Sequence, residues 1–449
     1  MQPLTERQIA LLHRTFLDYQ QTSEFIKHPL LIEKAEGLYY WDTEGKRYFD
    51  AIGGIFVAIL GHRHPRLVDA LHRQLDKLTF APPLHGTSPV ALDFVEKIGT
   101  ITPENLKYVK SFSGGSEAVE SALKFVRQYF KQIGFPHKYK FISRYYGYHG
   151  ATFGAMGASG TGKRKTKFEP QMAGFLKVFP PNYYRDQFSS WEECNRFCAR
   201  MFEDVILHED PETVAGIIIE PIGNTGGIIT PTDEYFQILR DICDRHHVML
   251  IYDEIITGFG KTGSMFAAQT FDVTPDLLCT GKGISSGMLP MGAMIAREDM
   301  AEAFYGAIDD EVHFAHGHTF AGNPLASAVG IAVIEEIVEQ HLCEKARELG
   351  DYLTEKLEGL KQYGVIREVR GKGILRGVEL VKDTQTMQPF PELGKALKLT
   401  ALSNGLIMRI DPSWFAVSPA LVAEKADIDE MCELVEKSLV DALEMVQSS

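Results

Sequence analysis

Asp253 closes the apolar run Val248-Met249-Leu250-Ile251-Tyr252, and Lys282 lies in Gly281-Lys282-Gly283 after a second apolar run. A lysine amine condenses with an aldehyde to give a Schiff base, and a carboxylate keeps a pyridine nitrogen protonated so that the ring accepts electrons. Two strand ends facing one crevice would bring these groups together, which points to pyridoxal phosphate chemistry. Each residue alone has a plainer reading. Most lysines beside glycines are solvated, and an aspartate at a strand end often caps a helix or joins a surface ion pair. Burial sharpens both cases: a desolvated lysine is driven toward its nucleophilic neutral form, and a carboxylate ending so apolar a strand is costly without a cationic partner.

Other segments add the remaining parts of such a site. Ser113-Gly114-Gly115-Ser116-Glu117-Ala118 follows a strand and opens a helix bearing Ala122, Leu123, Phe125 and Val126 on its apolar side. Backbone N–H groups at Gly115 and Ser116, with the Ser116 hydroxyl, could cradle a phosphate; a glycine turn with a serine cap is the alternative. Tyr148, in Tyr146-Gly147-Tyr148-His149-Gly150, is suited to stacking on a flat ring. Ile255 shares a side with Asp253 on a locally extended segment and could cover the other ring face. Taken alone, Tyr148 reads more readily as core packing, and Ile255 equally well as core filling.

Two segments imitate other chemistries. Gly157-Ala158-Ser159-Gly160-Thr161-Gly162-Lys163-Arg164 nearly spells a nucleotide P-loop, but Arg164 replaces the magnesium-ligating hydroxyl residue. The basic run from Lys163 to Lys167 reads as a solvated turn. His313, His316 and His318 stand close together without completing a recognised ligand spacing, and Cys194 and Cys198 have no second pair, so no metal is assigned. Six scattered cysteines indicate free thiols.

The chain of 449 residues is long enough for two domains and an N-terminal arm. Its formal charge of −14 disfavours binding to nucleic acid or anionic membranes and favours small-molecule partners. No run of about 18 apolar residues and no basic-then-apolar N-terminal pattern occurs, so a cytoplasmic location is expected. Residues 8–24 read as a helix and Gly37 to Phe49 as a hairpin turning at Asp42 to Gly45, giving an arm over 1–60. Over 61–325, apolar runs at Tyr108–Phe112, Ala215–Ile219, Val248–Tyr252 and Leu277–Thr280 alternate with helical patterns, which argues for a large, mostly parallel sheet domain. Residues 326–449 read as a smaller α+β domain: long helices to about 360, strands at 364–380 and 405–417, and a final helix near 427–446. The fold class is α/β.

Together these stretches resemble the class III aminotransferases, pyridoxal phosphate enzymes, from Gly37 to about Asp429. Asp253 to Gly263 matches the family's acidic strand end with its glycine tail, and Lys282 its Schiff-base lysine. The resemblance implies the pyridoxal phosphate aminotransferase fold and cofactor contacts from Gly115, Ser116, Tyr148, His149, Glu220, Asp253, Ile255 and Lys282. It also implies that Thr319 reaches the phosphate of a neighbouring subunit, and hence a homodimer with shared sites.

Departures from the family pattern bear on substrate. Ala416 occupies the place of the arginine with which many α-amino acid transaminases clamp a carboxylate. Arg409 is placed like the mobile arginine of ω-transaminases, which binds a keto acid and swings away for an apolar amine; an exposed strand-end charge is its plainer reading. Ile256 replaces a common glutamine and favours the same subgroup. Ile55 stands where a decarboxylating relative has a glutamine. Phe56, Leu84, His85, Tyr148 and Trp414 are expected to wall an apolar pocket. The implied reaction is ping-pong transfer from a primary amine or ω-amino acid to a keto acid such as pyruvate, with Lys282 carrying the proton and Asp253 maintaining the electron sink. The rivals are another pyridoxal phosphate reaction, namely decarboxylation, racemisation or amino-group migration, and a noncatalytic nucleotide-binding module built on Gly157 to Lys163.

Overall fold

The computed structural model describes residues 4–448. The N-terminal arm supplies β1 (Ile32–Glu36), β2 (Tyr39–Asp42) and β3 (Arg47–Asp50). The central sheet is built from β4 (Leu106–Phe112), β5 (Lys140–Arg144), β6 (Phe175–Val178), β7 (Val214–Ile219), β8 (Met249–Asp253), β9 (Leu277–Thr280) and β10 (Gly292–Arg297). The C-terminal region adds β11 (Ile366–Lys372), β12 (Leu375–Leu380), β13 (Leu406–Ile407), β14 (Arg409–Asp411) and β15 (Trp414–Val417).

The central order is β4-β10-β9-β8-β7-β5-β6, and β10 alone runs against its neighbours. A parallel sheet needs cover on both faces, which explains the unbroken apolar sequences of β7 and β9. On β8 and β9, Leu250, Tyr252 and Leu278 join one core, whereas Ile251, Leu277 and Cys279 join the core on the other face. The helix Gly115–Gln132 covers that second face through Ala118, Ala122, Phe125 and Val126. The helices Trp191–His208 and Asp233–His246 contribute Phe202, Phe236 and Leu239 to the first. None of the described helices is long and apolar enough to cross a membrane.

Two smaller sheets complete the chain. In β1-β2-β3-β13, the arm's β3 pairs in parallel with β13, while β11-β12-β15-β14 is antiparallel. The helix Pro324–Glu339 packs on the helices Pro65–Leu75 and Pro89–Ile101.

The arm differs from the single helix expected over residues 8–24. It forms Glu6–Leu12, capped reciprocally by Thr5 and Gln8, and then Thr22–Phe25. Tyr19 between them has φ 53°, a left-handed conformation that interrupts helical hydrogen bonding and turns the chain. β1 and the helix Pro391–Ser403 were also not anticipated. β1 lacks an alternating apolar pattern, since four of its five residues are exposed.

At the end of the sheet opposite Lys282, the buried Asp276 carboxylate accepts from Leu250 N (2.6 Å) and Arg240 Nη1 (3.0 Å) and pairs with Arg297, tying β8, β9 and β10 together. Asp276→Ala is expected to lower stability by about 3 kcal/mol. Urea unfolding measures this, and an unchanged midpoint would show that the three contacts contribute nothing net.

Candidate active site

β8 and β9 are adjacent and parallel, with Asp253 opposite Cys279, so Asp253 and Lys282 emerge at the same end of the sheet. Such carboxyl ends of parallel strands are where open α/β sheets bind ligands. Lys282 is held at φ 44° in a short 3-10 turn between Gly281 and Gly283. Gly283 allows close packing, because a Cβ there would lie 3.2 Å from Phe259 Cβ and 3.3 Å from Ile59. Burial lowers the Lys282 pKa, opposed in part by the charges of Asp253 and Glu220, so the neutral amine is favoured.

Asp253 is buried, and its Oδ2 meets His149 Nδ1 at 2.8 Å while Oδ1 accepts from Ile255 N at 3.2 Å. The neighbouring Glu254 turns away from the cavity and accepts from Ala267 N (2.6 Å), Ala268 N (2.8 Å) and the Thr257 hydroxyl (2.8 Å). Burial pushes Glu254 up to about 7 despite those bonds. Strand alternation thus divides two consecutive carboxylates between a site role and a structural one. Glu220, pushed upward by burial, accepts from Tyr148 N (2.9 Å) and Asn224 N (3.2 Å), fixing the Tyr148 turn to the loop after β7. Burial, with a hydroxyl interaction from Tyr19, raises the Tyr148 phenol to about 12, so its ring acts as a wall rather than a base.

A cavity of about 380 Å³ runs between these groups and includes Gly115, Ser116, Tyr148, Ile255, Lys282 and Arg409. The helix beginning at Gly115 has no side-chain cap, and its first-turn N–H groups have no intrahelical acceptors. Gly115 allows a close approach there, because a Cβ would fall 2.5 Å from Ile255 Cδ1. Ser116 Oγ accepts from Ala151 N at 3.0 Å, and a Cβ on Gly150 would stand 2.7 Å from that oxygen. Asn224 lines the same space with a buried, unpartnered Oδ1. This donor set fits pyridoxal phosphate: an uncapped helix start for the phosphate, Asp253 for the ring nitrogen, Lys282 for the aldehyde, and Ile255 and Tyr148 as ring walls.

Several expected residues lie elsewhere. Leu84 and His85 line a second cavity with Phe80, Lys110 and His316, apart from the cavity of Lys282; Thr319, expected to serve a neighbouring subunit, lines that second cavity too. Trp414 is buried and does not wall the cavity, because its strand directs it beneath Arg409, whose guanidinium lies 5.4 Å from its ring centre. Phe56 does line the site, as does Ile55, which is 57% exposed. Arg409 is not a free strand-end charge: Nε and Nη2 donate to Asp411 Oδ2 at 3.0 and 2.8 Å, with only 16% of its side chain exposed.

The segment expected to be a solvated basic turn contributes Arg164 to the cavity, 4.9 Å from the Tyr148 ring centre and 4.6 Å from that of Tyr19. Asp18 and Tyr19 enter from the arm. None of the three carried a local signal: Arg164 was masked by surrounding lysines, and Asp18 and Tyr19 lay within an apparent helix. The P-loop resemblance has a packing cause, since Gly157 fits against Phe175 and Gly160 against the backbone of Arg144 and Tyr145. His316 is engaged by Ser121, Lys124 and His318 at 2.8 to 2.9 Å, and no metal-holding group of three occurs among the described residues.

The family model of class-III aminotransferases matches residues 20–439. A probable aminotransferase of Mycobacterium tuberculosis is 36% identical over 98% of this chain and 96% of its own. A putrescine–pyruvate aminotransferase of Pseudomonas aeruginosa is 33% identical over 94% and 93%. In structure, the ω-transaminase of Pseudomonas jessenii in complex with PMP superposes with TM-score 0.93 at 31% identity, covering 97% of this chain and 98% of that one.

Lys282→Ala is expected to abolish sustained turnover, and Asp253→Asn to lower kcat by about 100-fold or more by weakening the electron sink. Steady-state assays with cofactor occupancy followed by absorbance check both; sustained turnover by the Lys282 variant would remove that lysine from its role.

Proposed function

The chain belongs to the class-III aminotransferases, and from that premise we propose that it carries an amino group from a primary amine or ω-amino acid to pyruvate, working as a homodimer. The enzyme depends on pyridoxal phosphate. Bound at this site, the cofactor supplies the aldehyde that exchanges for the amine and the ring that takes up an electron pair.

The chain's own residues supply the rest. The helix start at Gly115 and Ser116 would hold the phosphate, and Asp253, fixed by His149, would keep the ring nitrogen protonated. The Lys282 amine, whose pKa burial lowers, takes the proton from the substrate carbon that bears nitrogen. Phe56, Tyr148, Ile222 and Ile256 supply apolar wall to the same cavity, between its charged residues.

The observation that carries the substrate reading is Arg409. It faces Ala416 in the β14–β15 register, so a single guanidinium occupies the region where many relatives place a clamp. Asp411 neutralises it when no carboxylate is present, which leaves the pocket suited to an amine. A keto acid offers the same fork a competing carboxylate. The P. aeruginosa relative, named for putrescine and pyruvate, supports pyruvate as acceptor. Decarboxylation is disfavoured because Ile55 offers no polar handle. The homodimer reading draws support from Thr319 on a surface with exposed Leu84 (90%) and Phe320 (56%), apolar groups that a second copy would cover.

Arg409→Ala is expected to raise KM for pyruvate by about 30-fold or more while the half-reaction with a neutral amine changes little. Separate single-turnover measurements of the two half-reactions test this. Equal losses in both would remove Arg409 from keto acid recognition.

A further inference from the structure

Arg409 already has a carboxylate partner, whereas a second arginine in the same cavity does not. No ion pair or side-chain hydrogen bond engages the Arg164 guanidinium among the described residues; its contacts are the rings of Tyr19 and Tyr148, at 4.6 and 4.9 Å. A guanidinium stacked on aromatic rings keeps its N–H edge available, and that edge matches a carboxylate in two parallel hydrogen bonds. The ring of Tyr148 belongs to the wall of the Lys282 cavity and also touches Arg164, which lines that cavity with it. Tyr19, fixed by its left-handed turn, brings the arm to the same place.

We propose that Arg164 is a second carboxylate-binding residue, which receives the far end of the amino donor and makes ω-amino acids the preferred donor class. This rests on the amine-donor reading given above and adds its substrate class. The two arginines then divide the work: Arg409 leaves Asp411 for the carboxylate adjoining the keto group, and Arg164 takes the carboxylate remote from the donor's amine. Lys would not substitute fully, because a point charge reproduces neither the ring stacking nor the two-point fork. Asp18 lines the same rim and would instead favour a distal ammonium, so a diamine is the competing donor.

Donors of equal length that differ only at the far end separate these possibilities. The holoenzyme is mixed with 1-aminobutane, 4-aminobutyrate or 1,4-diaminobutane, and amine-dependent loss of the cofactor's absorbance is followed in single turnovers. The same set is repeated with β-alanine and 6-aminohexanoate and the matching amines and diamines. At the best length, the wild-type enzyme is expected to prefer the ω-amino acid. Arg164→Met should cut its kcat/KM by about 30-fold or more while changing the neutral amine by less than about twofold, and Arg164→Lys should recover part of the loss. An equal loss on all donors, or none on the ω-amino acid, would overturn the proposal. So would a preference for the diamine that Asp18→Asn abolishes. Reaction with neutral amines but not with ω-amino acids would overturn this inference alone, whereas absence of reaction with every donor would overturn the amine-donor reading as well.

Discussion

Asp253 stands opposite Cys279 in the parallel ladder between β8 and β9, and the placement of the chemistry depends on that pairing. A shift of one residue would exchange the outward carboxylate for its neighbour, because side chains alternate along a strand. Asp253 would then turn into the core and Glu254 toward the cavity. Three buried contacts on Glu254, from Ala267 N, Ala268 N and the Thr257 hydroxyl, oppose such a slip by engaging that carboxylate on its own side. The apolar residues of β8 resist it as well, since Ile251 belongs to one core while Leu250 and Tyr252 belong to the other.

Once the register is set, the site has to hold several ionisable groups within a buried interior. Asp253 and Glu220 are buried near Lys282, and Lys261 is buried behind it with Nζ bonded to Phe56 O at 2.7 Å. Burial, with the nearby charge of Lys282, lowers Lys261 to about 7. Protonation of either lysine disfavours that of the other, so the interior favours one neutral amine over two cations. Lys261 is also mechanically useful, because its bond holds the carbonyl of Phe56, a cavity residue at φ 65°. The site lysine and its apolar wall are therefore linked through one buried amine.

Much of this was legible from the chain because the parts most constrained by physics leave local marks. Continuous apolar runs identified β7, β8 and β9, and glycines marked the points where backbone approaches backbone at Gly115 and Gly281. What escaped was determined by distant contacts. Nothing local distinguishes Arg164 from the neighbouring lysines; only the folding of its segment onto Tyr148 does. Tyr19 and Asp18 looked helical because hydrophobic period alone does not reveal a left-handed residue in the middle of a run. Leu84 and His85 were read as walls of the Lys282 pocket, but a single chain places them in another cavity, beside Thr319, which was assigned to the site of a neighbouring subunit. Trp414 was assigned to the wall by its nearness to Arg409, whereas it lies under that residue.

The relation between Arg409 and Ala416 is what made a proposal about substrate class possible from the sequence. The two residues face one another across β14 and β15. Moving the cation from one strand to the other changes what can neutralise it. On β14 the arginine has Asp411 two residues away on the same side of the strand, so it forms a pair at 2.8 Å without substrate. On β15 the corresponding position is buried, and an arginine there would need its own compensating anion. An internally neutralised arginine tolerates an uncharged amine in its vicinity, whereas an uncompensated one favours a carboxylate at every turnover step. If Arg409 receives the keto acid as proposed, the alternating demands of a ping-pong exchange are met by the strand on which the guanidinium sits and by the acid within its reach.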